Sequence, residues 1–128
     1  MTGVFTIRQK LPSLNEVINA QRTNRYMGNK FKQDIESAIG MYIKQALTAG
    51  TLEPMEEQPC EVFIDWHEAT QRRDADNIQS AKKFILDALQ KEGVLKRDSR
   101  KYVKQIHDRI IDDKEDFVVV RLIPYVPQ

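Results

Sequence analysis

The sequence is poor in cysteine and histidine. Its 128 residues include one cysteine, Cys60, and two histidines. A single cysteine cannot form a disulfide within the chain, and one cysteine with two histidines supplies too few ligands for an ordinary structural zinc site. Any metal that the chain binds is therefore expected to be held mostly by oxygen atoms.

Long apolar runs are also lacking. No stretch approaches the roughly 18 apolar residues of a membrane-spanning helix, and residues 1–10 contain no apolar core of a signal peptide. The chain also has no internal repeat, low-complexity tract or linker rich in proline, glycine and serine. These absences predict a cytoplasmic protein without a membrane partner, folded as a single domain over residues 1–128.

The formal net charge of +1 conceals a strong sorting of charge along the chain. Residues 1–33 carry six basic and one acidic side chain, residues 34–70 carry one and eight, and residues 71–104 carry ten and five. The two basic segments could converge into a surface for phosphate groups. An ordinary solvated surface would also account for such sorting.

The hydrophobic periodicity predicts two helices, at residues 30–49 and 76–91. Gly50 and Gly93 follow them at positions typical of helix C-caps. Residues 11–28 are polar and show no sustained period, so that we expect a long loop there with one short turn of helix at most.

Four segments have the pattern of strands: residues 4–8, 60–67, 102–111 and 117–123. The polar connection at residues 112–116 is short enough to join the last two as an antiparallel hairpin. The order β-α-β-α-β-β predicts an α+β fold, with a mixed or mostly antiparallel sheet covered by two helices.

Asp74 and Asp76 form an Asp-x-Asp pair at the predicted start of the second helix, directly after Arg72 and Arg73. Clustered carboxylates repel one another unless a cation neutralises them, and hard oxygen ligands favour Mg²⁺ or Mn²⁺. Such a metal could polarise a phosphodiester and lower the pKa of an attacking water. Asp76 with Gln79 also resembles a capping box, which would explain one aspartate but not Asp74.

Further polar residues lie on the same predicted helix face. At about 100° per residue, Ser80, Lys83 and Asp87 fall within about 40° of Asp76. Lys83 could therefore supply a cation beside the metal. Asp98 is the single acid of residues 94–101, which include four basic side chains, and it could fold back toward the start of the helix.

These features occur in an order that resembles the RusA family of Holliday-junction resolvases. The resemblance rests on RRDADNI at residues 72–78, DAL at residues 87–89, and GVL at residues 93–95 followed by Asp98. The N-terminal strand followed by LPSLN at residues 11–15 also resembles the start of that family. The match in order and spacing covers nearly the whole chain.

The resemblance implies a homodimeric, Mg²⁺-dependent endonuclease that cuts four-way DNA junctions symmetrically, of a family with many members carried by phages or prophages. Asp74, Asp76 and Asp98 match the family's essential acids and are expected to bind the metal and to be catalytic. Mn²⁺ is expected to substitute for Mg²⁺. Asp87 matches an acid whose role stays open, and it is an additional candidate ligand.

The chain departs from the family at two positions. Ser80 stands where the family commonly has a lysine, and Arg97 precedes Asp98 where the family often has paired acids. Lys83 is the residue that we expect to replace the missing cation, in a catalytic role. The residues expected to contact DNA are Asn15, Arg22, Arg25, Lys30, Arg72, Arg73, Lys96 and Arg97.

Other functions stay open at this point. The same carboxylates would serve a nuclease that prefers other branched DNA. Ser80 and Arg97 would suit a junction-binding protein with weakened catalysis. A small domain that binds protein through its acidic segment would show neither junction affinity nor a metal effect.

The symmetric nicks expected of a resolvase would require two active sites related by a two-fold axis, and hence a homodimer.

Overall fold

The computed structural model describes residues 3–55 and 58–127, which form four strands and four helices. In chain order the elements are β1 (Gly3–Ile7), α1 (Leu14–Thr23), α2 (Arg25–Ala49), β2 (Cys60–Glu68), α3 (Ala75–Gln79), α4 (Lys82–Lys91), β3 (Val103–Asp112) and β4 (Phe117–Pro124).

The four strands form one mixed sheet in the order β1-β4-β2-β3. β4 runs antiparallel to both β1 and β2, and β3 runs parallel to β2. The chain between β2 and β3 contains α3 and α4, as a crossover between parallel strands requires. The predicted α+β class with a mixed sheet is therefore confirmed.

The predicted hairpin between the last two strands is wrong. β3 and β4 lie on opposite sides of β2, and the connection between them crosses the end of that strand. There Asp113 N donates to Glu68 O at 3.0 Å, and Ala69 N donates to the Asp116 carboxylate at 2.8 Å. These two hydrogen bonds hold the polar connection across the end of β2.

Burial explains why β4 takes the central place. Val118, Val120 and Leu122 alternate along β4 and are buried, whereas β3 buries only Val103. A strand with a continuous apolar face stabilises the sheet most between two neighbours, and the more polar β3 is suited to the edge.

The core lies between one face of the sheet and the helices. Cys60, Val62, Ile64 and Trp66 alternate along β2 and are fully or almost fully buried. Desolvation raises the pKa of the Cys60 thiol to about 11, with a smaller contribution from the charge of Glu61. The apolar side chains that α2 and α4 bury include Ile35, Ile39, Ile43, Phe84, Ile85 and Leu89. None of the helices in the described ranges is both long and apolar enough to cross a membrane.

The loop predicted for residues 11–28 is wrong, because most of this segment is helical. α1 begins after Ser13, whose Oγ accepts a hydrogen bond from Glu16 N at 3.2 Å. Ser13 followed by Glu16 has the spacing of a capping box, a local signal that the apolar period does not include. α1 needs little apolar surface, since only Val17 of its residues is buried.

Asn24 both ends α1 and begins α2. Its backbone N–H donates to Ala20 O at 2.9 Å, and its side-chain oxygen accepts from Met27 N at 3.1 Å. One extended residue therefore reverses the chain between two helices. α2 consequently begins five residues before the predicted Lys30.

Gly28 allows these two helices to pack closely. A Cβ at this position would lie 2.5 Å from the backbone of Gln21. Helix propensity alone predicts that Gly28→Ala stabilises the protein by up to about 1 kcal/mol. The contact predicts the opposite, a loss of about 1–3 kcal/mol in the free energy of unfolding, because the backbone of α1 must shift.

Urea unfolding of Gly28→Ala decides between the two signs. Thr48→Ala is the matched control, since Thr48 is exposed on the same helix and its replacement should change stability by no more than about 0.5 kcal/mol. A stabilised Gly28→Ala protein would contradict the close packing of α1 against α2.

The helix predicted over residues 76–91 is divided in two at Ser80. The Ser80 hydroxyl donates to Asn77 O at 2.7 Å and accepts from Leu14 N at 3.0 Å. A serine that bonds back to the preceding turn competes with the helical hydrogen bonds and bends the helix. The residue that departs from the family pattern therefore joins the start of α1 to α3.

Candidate functional site

The Asp-x-Asp pair lies at the start of α3. Asp74 occupies the N-cap position in an extended conformation, but its carboxylate makes no capping hydrogen bond. Asp76 lies in the first turn, where its Oδ1 accepts from Asn77 N at 3.0 Å. The capping-box interpretation of Asp76 is therefore wrong. Both carboxylates are exposed, and the Asp74 carboxylate is not used by the helix.

Lys83 joins two of the predicted site acids. Its Nζ lies 3.2 Å from Asp87 Oδ1 and 3.4 Å from Asp98 Oδ2. These bonds raise the pKa of Lys83, with the hydrogen bond that Lys83 donates to Asp87 as the largest cause. The ammonium group is thus charged and held between two carboxylates.

The segment after α4 brings Asp98 back to this helix. Gly93 adopts a left-handed conformation with φ of 76°, and Val94 and Leu95 are then buried in the core. Val94 N donates to Leu89 O at 2.9 Å, and Val94 O accepts from Met55 N at 2.9 Å. This anchoring turns the chain, so that Asp98 reaches Lys83.

The first turn of α1 contacts α3. Besides the bond from Leu14 N to Ser80, Asn15 Nδ2 donates to Asn77 Oδ1 at 3.4 Å. Asn77 directly follows Asp76, and Asn15 is therefore close to the Asp-x-Asp pair. The two basic segments of the sequence meet at this contact.

The other predicted DNA-contact residues of the N-terminal segment lie farther along. Arg22 and Arg25 are exposed and line one groove beside the α1–α2 turn. Arg22 follows Asn15 by seven residues on α1, which places it about 10 Å along the helix axis. Lys30 forms an exposed ion pair with Asp34 at 3.0 Å. Arg72, Lys96 and Arg97 are also exposed.

Arg73 makes internal contacts. Its Nε and Nη2 donate to the two carboxylate oxygens of Glu68 at 3.2 and 2.9 Å, and its Nη1 donates to Leu11 O at 2.9 Å. Glu68 is only 6% exposed. Arg73 therefore holds the end of β2 against the segment before α1. Its predicted contact with DNA is not favoured, because its guanidinium group already donates to Glu68 and Leu11 O.

Sequence reasoning missed Glu68. The alternation Cys60, Val62, Ile64 and Trp66 places the next even position on the buried face of β2, and this could have identified Glu68 as a buried acid that needs a partner.

The residues present are chemically suited to a divalent cation. Asp74 and Asp76 offer exposed carboxylate oxygens, which Mg²⁺ and Mn²⁺ prefer. Within residues 3–55 and 58–127, no three side chains of histidine, cysteine, aspartate or glutamate form a preassembled metal-binding group. Binding by Asp74, Asp76 and Asp98 together stays a prediction.

Comparison with protein families and with curated proteins identifies no relative of this chain. No protein-family model matches the chain, and a search of curated proteins finds no significant match. The resemblance to the RusA family therefore stays a prediction, and the functional argument depends on the residues themselves.

Proposed function

We propose that this protein is a Mg²⁺-dependent endonuclease that resolves four-way DNA junctions by paired symmetric nicks. The observation that carries the proposal is the position of the Lys83 ammonium group between Asp87 and Asp98. This contact brings Asp98, which follows α4 in the sequence, back to α4, the second helix after the Asp-x-Asp pair. Carboxylates close to exposed basic side chains suit the metal-assisted hydrolysis of a phosphodiester.

Asp74, Asp76 and Asp98 would hold the Mg²⁺, for which Mn²⁺ would substitute. When bound, the metal would polarise the phosphodiester and lower the pKa of the attacking water. Lys83 would present its positive charge to a phosphate oxygen, in place of the lysine that Ser80 replaces. The carboxylate of Asp98 would keep the Lys83 side chain near the reacting phosphate.

The exposed basic side chains on both sides of the Asp-x-Asp pair would bind the DNA backbone. Arg72 precedes the pair, and Lys96 and Arg97 precede Asp98. Asn15 would contact DNA beside α3. Arg22, on α1, and Arg25, at the start of α2, would contact a second arm. Two copies related by a two-fold axis would place two such sites symmetrically on one junction. The protein would act in the cytoplasm of a bacterial or phage-infected cell, where its DNA substrate lies.

The test is cleavage of a labelled four-way junction beside a linear duplex of the same sequence, with Mg²⁺, with Mn²⁺ and with a chelator. We expect symmetric nicks in the junction, none in the duplex, and none with the chelator. Cleavage of flaps or forks in preference to the junction would favour a nuclease for other branched DNA. Binding without cleavage under both metals would favour a junction-binding protein, and the absence of both would contradict the proposal.

A further inference from the structure

Tyr26 and Met27 lie exposed at the turn between α1 and α2. The exposed large apolar side chains of the described chain are Tyr26, Met27, Met41 and Val126. Tyr26 is 75% exposed and Met27 is 54% exposed, and these two are adjacent in the sequence. Contiguous apolar surface rimmed by polar residues is typical of an interaction site, whereas a single exposed side chain such as Met41 is not.

The turn presents the two side chains on a well-anchored backbone. Asn24 ends α1 and begins α2 with hydrogen bonds to both helices. Gly28 lies close to the backbone of Gln21, and Gln21 Nε2 donates to Asn29 Oδ1 at 2.9 Å. The two helices are therefore joined on both sides of Tyr26, and an ordered turn loses little conformational freedom when it binds a partner.

Positive charge surrounds the turn. Residues 17–33 contain no acidic residue and four basic ones, which are Arg22, Arg25, Lys30 and Lys32. Arg22 and Arg25 are exposed and line one groove, and Tyr26 lines a second groove. Asn29 lines both grooves, which are therefore adjacent. The charge of this surface is complementary to a polyanion.

An exposed aromatic ring beside two arginines suits a nucleic acid with unpaired bases. Proteins bind single strands by stacking bases on aromatic side chains and by neutralising phosphates in a basic groove. In a continuous duplex, the faces of the bases are covered by their neighbours. We propose that Tyr26 stacks on an unpaired DNA base, while Arg22 and Arg25 bind the adjoining phosphates.

The choice of DNA as the ligand rests on the proposed function, in which unpaired bases occur at the branch point. α1 begins against α3 and spans ten residues, so that the turn lies about 15 Å from α3. A stacked strand covers this length with about four or five nucleotides. Contact with a base at this distance from the Asp-x-Asp pair would favour branched DNA over a linear duplex.

A membrane surface fits these side chains less well. A helix that lies in a lipid interface needs an apolar face along its length. On α2 the next exposed large apolar side chain after Met27 is Met41, about four helical turns away.

The test is binding of labelled oligothymidylate by the full chain in a chelator, beside a base-free deoxyribose phosphate strand of the same length. We expect oligothymidylate to bind more tightly. Tyr26→Ala should lower its affinity by about 5- to 150-fold, the usual effect of one stacked base, and leave the affinity for the base-free strand unchanged. Tyr26→Phe should bind both strands as the unchanged protein does, because the ring and not the hydroxyl group stacks.

Two further variants serve as controls. Met41→Ala is the matched control, because Met41 is 61% exposed on the same helix but lies outside the basic turn, and it should leave both affinities unchanged. Arg25→Gln should weaken the binding of both strands and reduce the slope of log affinity against log salt by about 0.7. Circular dichroism checks that each variant is folded.

Equal affinity of the unchanged protein for the two strands, or an equal loss for both in Tyr26→Ala, would overturn the proposal. Binding to phosphatidylserine vesicles without binding to oligothymidylate would overturn it in favour of a membrane surface. These measurements need no cutting of DNA. A protein that prefers base-bearing strands through Tyr26 but leaves a four-way junction intact would contradict the proposed nuclease and not this site.

Discussion

Asp76→Asn is expected to abolish metal-dependent cutting of a four-way junction and to leave the fold and junction binding intact. The change removes one negative charge and almost no volume from an exposed side chain. The asparagine oxygen can still accept the hydrogen bond from Asn77 N that Asp76 Oδ1 accepts now. Loss of a direct metal ligand should lower the cleavage rate by at least about 100-fold, since outer-sphere partners alone are worth about 10–100-fold.

The measurement is the single-turnover rate of junction cleavage in Mg²⁺, together with junction affinity in a chelator and the circular dichroism spectrum. Glu53→Gln is the control for the loss of one exposed acid, and its rate should equal that of the unchanged protein. If Asp76→Asn cut the junction at an undiminished rate, the assignment of the Asp-x-Asp pair to the metal would be wrong.

Arg73→Gln is expected to destabilise the protein by about 3–5 kcal/mol, because it leaves the buried carboxylate of Glu68 without its cation. The guanidinium group supplies two bonds to Glu68 and a third to Leu11 O. Glutamine can replace at most part of this set and none of the charge. Urea unfolding followed by circular dichroism measures the loss.

Arg72→Gln is the matched control, since Arg72 is the exposed neighbour. It should keep its stability and bind junction DNA more weakly, with a smaller dependence of affinity on salt. The double variant Glu68→Gln with Arg73→Gln removes the uncompensated charge and should be more stable than Arg73→Gln alone. Equal destabilisation by Arg72→Gln and Arg73→Gln would contradict the structural role of Arg73.

Local patterns were sufficient for most of the secondary structure. The apolar period of α2, the alternation along β2 and the glycines that follow α2 and α4 all predicted elements that the structure contains. Asp98 was expected to fold back toward the start of the second predicted helix; in the structure it contacts Lys83, which lies in α4 and not at that start.

Elements with a weak apolar period were missed. α1 buries only Val17, and its start and end depend on hydrogen bonds from Ser13 and Asn24 rather than on a hydrophobic face. The break at Ser80 was also missed. The Ser80 hydroxyl bonds back to Asn77 O and also accepts a hydrogen bond from Leu14 N, 66 residues away in the sequence. A helix pattern carries no information about such a partner.

Residue types at short, fixed spacings were enough to predict the four strands, α2, the α+β class and the candidate acids Asp74, Asp76 and Asp98. Tertiary packing set the strand order, the pairing of Arg73 with Glu68 and the burial of Glu36 on α2. Each of these depends on which distant segments share a buried interface. The free energy of these interfaces comes from burying apolar surface and pairing buried charges between residues that are distant in sequence. A local sequence pattern does not identify such partners.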